Sequence, residues 1–177
     1  RRYVRAFVDM IRGTWRSPNF LIGGLGIFPK VAHAARQMRL DGVDHVHCHF
    51  ANHPALAGFL IHRLAGIPYS FTAHGSDLHV DRTMLPTKVR EAAFVVTISE
   101  DNRRLIEDTS GPAADGKVAV IHCGVDPAAF HPRPGASGGA LRIVAVGTLH
   151  EVKGQTHLID ACRRLLERDV AAAEVAV

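Results

Sequence analysis

From residue 43 onward, short apolar runs alternate with segments of helical periodicity. "VDHVHCHF" (43–50) reads as a strand, and "HPALAGFLIHRLAG" (53–66) as the helix after it. Pro54 suits the first turn, Leu56, Leu60 and Leu64 recur every four residues, and Gly66 suits the exit. "IPYSFTA" (67–73), "AFVVTIS" (93–99) and "KVAVIH" (117–122) have the look of further strands, with "LPTKVREAA" a short helix between the first two. Ser99 is placed to cap "EDNRRLIED", where Glu100 and Asp101 meet the positive end of the helix dipole. The rhythm and the nearly continuous apolar strands predict an α/β fold, a parallel sheet covered by helices.

"HPRPGASGGA" (131–140) breaks the rhythm with two prolines, three glycines and a serine, and reads as a linker. A new strand, turn and helix follow: "LRIVAVG" (141–147), "TLHEVK", then 154–170. Leu158, Ile159, Cys162, Leu165 and Leu166 form one apolar stripe on that helix. The expected organisation is therefore a domain over 1–130, a linker over 131–140 and the beginning of a second domain over 141–177. A single β-α unit cannot bury both its faces, and "AAAEVAV" resembles the opening of a strand. Together with a first residue other than methionine, this suggests a piece of a longer protein.

Composition narrows the class. The chain has 177 residues, 47% of them hydrophobic and 21% charged, as in an ordinary globular protein. "NFLIGGLGIFP" (19–29) is too short and too rich in glycine to span a bilayer. Three cysteines without CxxC spacing fit a reducing, cytoplasmic compartment. The net charge of +4 is uneven: residues 1–40 carry eight basic groups against Asp9 alone, which suits a solvated helix face, an anionic membrane surface or an anionic substrate. No nucleic-acid-binding motif accompanies that charge.

Chemistry is suggested at the strand ends. In a strand His45, His47 and His49 share one face, while Val46, Cys48 and Phe50 share the other. An HxH with His74 and His122 could build the zinc centre of a hydrolase, but carboxylate ligands are scarce there apart from Asp77 and Asp126. The alternative is that they are polar residues at the C-terminal edge of a parallel sheet, where α/β enzymes place their sites. "YSFTAHGSDL" puts His74, Gly75 and Asp77 just after a strand, and "VIHCGVD" repeats the arrangement with Gly124 and Asp126. In "VAVGTLHEVKG" a strand ends at Gly147, and Lys153 and Gly154 stand at the mouth of a helix, where free amides and an ammonium suit phosphate oxygens. The Walker and dinucleotide spacings are absent.

Together "HVHCHFANHPALAGFLIHRLAGIPYSFTAHGSDL", "FVVTISEDNRRLI", "VIHCGVD" and "IVAVGTLHEVKGQTHLIDAC" resemble, in order and spacing, glycosyltransferase family 4, and most closely its bacterial exopolysaccharide members of the colanic-acid type. The resemblance runs over about residues 31–177, and the first thirty contribute little. It implies a GT-B fold of two Rossmann-like domains, an acceptor-side one and a nucleotide-sugar-binding one. It further implies a retaining hexosyl transfer from a nucleotide-sugar donor to a glycan or lipid-linked acceptor, with no metal and no other cofactor. On this resemblance His74 and Asp77 are the catalytic candidates, His74 contacting the transferred sugar. Gly147, Thr148, Lys153, Gly154, Gly124 and Asp126 are the donor-binding candidates, and the strand histidines are edge residues on the acceptor side. Thr148 stands where the family commonly has an arginine on the diphosphate, leaving more of that charge to Lys153. The family's glycine-rich loop is expected before residue 1 and its glutamate pair beyond Val177, so this stretch alone is expected not to turn over. A metal-dependent hydrolase on His47, His49 and His74, and a sugar- or lipid-binding module without chemistry, are the other readings.

Overall fold

The computed structural model describes residues 1–130, 142–168 and 174–176; the expected linker and the end of the expected last helix lie outside the described residues. The chain divides into two compact units, Arg1–Gly124 and Val125–Val177.

The first unit opens with two helices, α1 (Arg2–Thr14) and α2 (Pro18–Leu40). The apolar-polar pattern did not announce α2, because Gly23, Gly24, Gly26 and Pro29 all argue against a helix interior. Packing reverses that. Ser17 caps the start by accepting from the Phe20 amide, and Pro18 occupies the first turn. Phe20, Gly24, Phe28, Val31 and Ala35 are buried, while Pro29 sits on the exposed side. Gly23 lies directly against the His53 ring, and any side chain there would collide with it. Gly23 and Gly24 thus permit close approach to α3 and α1, while Gly26 faces open space.

Four parallel strands follow in the order β1 (Val46–His49), β2 (Tyr69–Ala73), β3 (Val95–Thr97), β4 (Val118–Val120). This is the Rossmann-like α/β architecture expected, with shorter strands than the apolar runs suggest. Helix α3 (His53–Ala65) joins β1 to β2 and ends at Gly66 in the left-handed conformation. Short helices α4 (Ser76–His79) and α5 (Leu85–Glu91) join β2 to β3, and α6 (Glu100–Ser110), capped by Ser99, joins β3 to β4. Every residue of β2 is buried.

The sheet is not apolar on both faces, as the sequence pattern suggested. One face buries Cys48, Tyr69 and Phe71, and Gly58 of α3 comes so close that a Cβ there would sit 2.7 Å from the Cys48 sulfur. The other face carries His45 and His47 over the hydroxyls of Ser70 and Thr72, which are themselves buried.

The second unit is a β-α-β element: β5 (Arg142–Val144), α7 (Gln155–Glu167) and β6 (Glu174–Ala176), the strands parallel and in register. Of the stripe on α7, Cys162 is buried, whereas Ile159 and Leu166 remain 54% and 58% exposed.

Candidate functional site

The C-terminal edge of β1 and β2 gathers the most chemistry in the first unit. His49 ends β1, and Phe50 follows with φ of +80°, which turns the chain sharply. His74 follows β2 directly, and Gly75 comes next with φ of +142°, a conformation that L side chains rarely adopt. His49 Nδ1 and His74 Nε2 approach to 3.3 Å, and the Phe50 ring lies 4.8 Å from that of His74. Phe50 therefore leaves the face that strict strand alternation assigns it and flanks His74 instead.

Asp77 holds this edge together. It is 4% exposed, and its carboxylate accepts from the amides of Ala51 (2.6 Å), His74 (3.0 Å) and Gly75 (2.7 Å). The loop after β1 and the loop after β2 are thus tied to one carboxylate. The resemblance makes Asp77 a catalytic candidate alongside His74; the structure places its carboxylate inside, on backbone donors.

Beneath it lies a residue that sequence reasoning missed. Lys88 of α5 is buried to 1% exposure, and its ammonium donates to the Ala51 carbonyl and lies 4.9 Å over the Phe20 ring. Burial drives its pKa down to about 7, against the opposing attraction of Asp81 and Asp77. A signal was present: Leu85, Lys88, Val89 and Ala92 follow helical spacing, which puts the lysine on the apolar face. Asn102 is the other omission. It is buried, donates weakly to the His74 carbonyl at 3.5 Å, and shares a 3.3 Å contact with His79.

The strand histidines are engaged within the sheet. Both ring nitrogens of His47 meet hydroxyls, Ser70 at 2.7 Å and Thr72 at 2.8 Å, and His45 reaches the same Ser70 oxygen at 2.8 Å. His47's pKa is lowered, first by burial and then by its neighbours His49 and His45. A neutral ring, donating from one nitrogen and accepting at the other, fits this arrangement. His122 bonds the Ile98 carbonyl at 2.8 Å instead of turning toward His74. Among the described residues no group of three His, Cys, Asp or Glu is arranged to hold a metal ion.

Gly124 and Asp126 are exposed. Gly124 has open space around its Cα, and Asp126 caps the short turn Pro127–Ala129 by accepting from the Ala128 amide at 2.9 Å.

In the second unit the four remaining candidates meet. Lys153 closes a short 3-10 turn, Glu151–Lys153, and Gly154 follows with φ of +69° as the cap of α7, offering no side chain to the first amides. The Lys153 stem runs over Gly147, where an added Cβ would lie 3.5 Å from Lys153 Cγ. Gln155 Nε2 donates to the Thr148 carbonyl at 2.9 Å and straps that loop to α7. The Lys153 stem, Gly147 and the α7 amides, which no side chain caps, thus share one short loop.

A four-stranded parallel sheet with helical crossovers and an imidazole presented at its carboxyl edge defines a Rossmann-like domain of the GT-B kind. The family model for Glycosyltransferase Family 4 matches residues 3–129, and the chain belongs to that family. It is a glycosyltransferase domain, whose substrates are a sugar donor and an acceptor. The match begins at residue 3, so α1 and the start of α2 belong to it although the first thirty residues carried little of the resemblance; it stops short of Gly147, Thr148, Lys153 and Gly154. A comparison with curated proteins finds no match. Among the described residues no helix is long and apolar enough to cross a membrane.

Proposed function

We propose that this chain serves the transfer, with retention of anomeric configuration, of a hexose-like unit from a nucleotide-sugar to a glycan or lipid-linked acceptor, in exopolysaccharide or cell-envelope synthesis of the colanic-acid type. The observation that carries the reading is His74: its loop is held rigid by Asp77, its ring is paired with His49, and it stands at the sheet edge where α/β enzymes bind ligands. Its other ring nitrogen, Nδ1, is the group that would contact and orient the transferred sugar.

The donor diphosphate is assigned to the second unit. The Lys153 ammonium and the α7 amides meet the charge that develops on the leaving group, so this reading needs no resident metal and no other cofactor. Gly147 and Thr148 let the phosphates approach the backbone. Gly124 and Asp126 keep a supporting role through the turn they shape. The domain limits of this reading are 1–130 and 141–177. The site of action is the cytoplasmic face of the cell membrane, where the basic first forty residues touch an anionic surface.

The test supplies the purified protein carrying this chain with labelled nucleotide-sugars and a lipid-linked acceptor extract. His74→Ala is expected to lower transfer about 100-fold or more, the usual scale for a positioned polar group at the reacting centre. Transfer undiminished in His74→Ala, or label released only to water, overturns the assignment.

A further inference from the structure

Phe50 has φ of +80°, a conformation that costs a bulky side chain free energy wherever it occurs. Among the described residues Met84 is the only other non-glycine with positive φ, and its side chain packs against Gly13 of α1. Phe50, by contrast, is 43% exposed, and its ring meets that of His74 at 4.8 Å with 46° between the two planes.

The strained conformation is held from both sides. The Phe50 amide donates to the Thr72 carbonyl at 2.8 Å. The next residue, Ala51, donates to the Asp77 carboxylate and accepts from the Lys88 ammonium, and both of those side chains are buried. Strain that surrounding groups over-determine in this way collects at ligand sites. Here it leaves an aromatic ring half in water beside the imidazole at the sheet edge.

Phenyl and imidazole offer different chemistry at one place. An imidazole nitrogen bonds a hydroxyl, whereas the negative face of a phenyl ring attracts polarised C–H bonds. A pyranose supplies both, with hydroxyls round its rim and C–H bonds directed from its faces. A lipid chain has no hydroxyl for the nitrogen, and an open-chain polyol has no flat face for the phenyl.

We propose that Phe50 is the stacking platform for the transferred sugar, the C–H face of a pyranose lying on the phenyl ring while His74 bonds one of its hydroxyls. This rests on the assignment of His74 to that sugar under the proposed function, and it names the residue that recognises the ring itself. Phe50 thereby selects for a pyranose with several C–H bonds on one side.

The test compares Phe50→Trp with Phe50→Leu in the purified protein carrying this chain. Both keep the backbone strain and an apolar side chain, but only tryptophan keeps a flat π face. With the labelled nucleotide-sugar that gives transfer, Phe50→Leu is expected to raise the donor KM about tenfold, and Phe50→Trp to stay near wild type. A donor KM in Phe50→Leu equal to that of the wild type overturns the proposal. So does a rise confined to the acceptor KM, which moves the stack to the acceptor, or a fall in kcat alone, which makes the ring a shield against water.

A second measurement does not depend on turnover. Methyl glucoside and methyl galactoside are added to the isotope-labelled protein, with glycerol as the control. The ring signals of Phe50 and His74 are expected to shift with the glycosides, less in Phe50→Leu, and to stay in place with glycerol. Equal shifts with glycerol overturn the platform. If the wild type turns over no nucleotide-sugar, shifts by the glycosides keep the platform while the transferase reading falls, and their absence removes both.

Discussion

Lys88 and Ala51 are 37 residues apart, yet the buried lysine ammonium donates to the Ala51 carbonyl, and the Ala51 amide in turn donates to Asp77. A cation and a carboxylate thus grip the same residue from two sides, directly behind the loop that carries His74. The arrangement places a rigid floor under the candidate site and makes its stability depend on proton uptake.

The folded-state pKa of Lys88, about 7, lies below its ordinary value of 10.5. The unfolded chain therefore binds the extra proton between those limits, and stability rises with pH across that window while the full penalty applies below it. The shift corresponds to on the order of 4–5 kcal/mol. Urea midpoints of the wild type are expected to rise from pH 6 toward pH 9.5, and Lys88→Met is expected to flatten that rise. An identical pH dependence in the two proteins contradicts the arrangement.

Asp77→Ala leaves three backbone donors without their acceptor, two of them in the His74 loop. The expected loss is about 2–4 kcal/mol of stability, from unsatisfied groups that reopen partly to water. Asp77→Asn retains one acceptor oxygen and is expected to fall between. Chemical denaturation measures both, and stability unchanged in Asp77→Ala would show that the clamp carries nothing.

His47 gives a pH signature of the same sign, shifted to the acid end. Its folded-state pKa is lowered, so below pH 6.5 the unfolded chain accepts a proton that the folded ring resists, and stability is lost as pH falls. His47→Gln is expected to show a smaller drop in Tm between pH 7.5 and 5.5 than the wild type. A larger drop in the variant would mean that the ring is held in its charged form.

Gly75→Ala tests the turn. The position has φ of +142° but open space, with nothing nearer to an added Cβ than Asn102 Nδ2 at 4.0 Å. The cost is therefore conformational, about 1–3 kcal/mol, with transfer reduced more than global stability suggests because the strain falls on His74. Calorimetry and the transfer assay together separate the two effects.

His49→Gln removes the partner of His74 Nε2 while leaving a side chain that reaches the same region. Transfer is expected to fall about tenfold, the scale of one lost hydrogen bond of ~1.4 kcal/mol, through kcat and not KM if the role is orientation. An unchanged kcat would separate His49 from the site.

By itself the sequence determined the order of elements from β1 through β4, the Ser99 cap, the Gly66 exit, and the placement of His74 after a strand and Lys153 before a helix. Each of these follows from periodicity or capping over a few neighbouring residues, and local rules suffice for that. Tertiary structure alone decided that a glycine- and proline-bearing stretch becomes α2, because only α1 and α3 packed against it make Gly23 and Gly24 useful. It also decided that Asp77 faces inward, that Lys88 is buried, and that His45 and His47 bond to β2. Their partners lie 23 to 37 residues away, and a hydrogen bond across such a span exists only once the sheet has brought the two ends together.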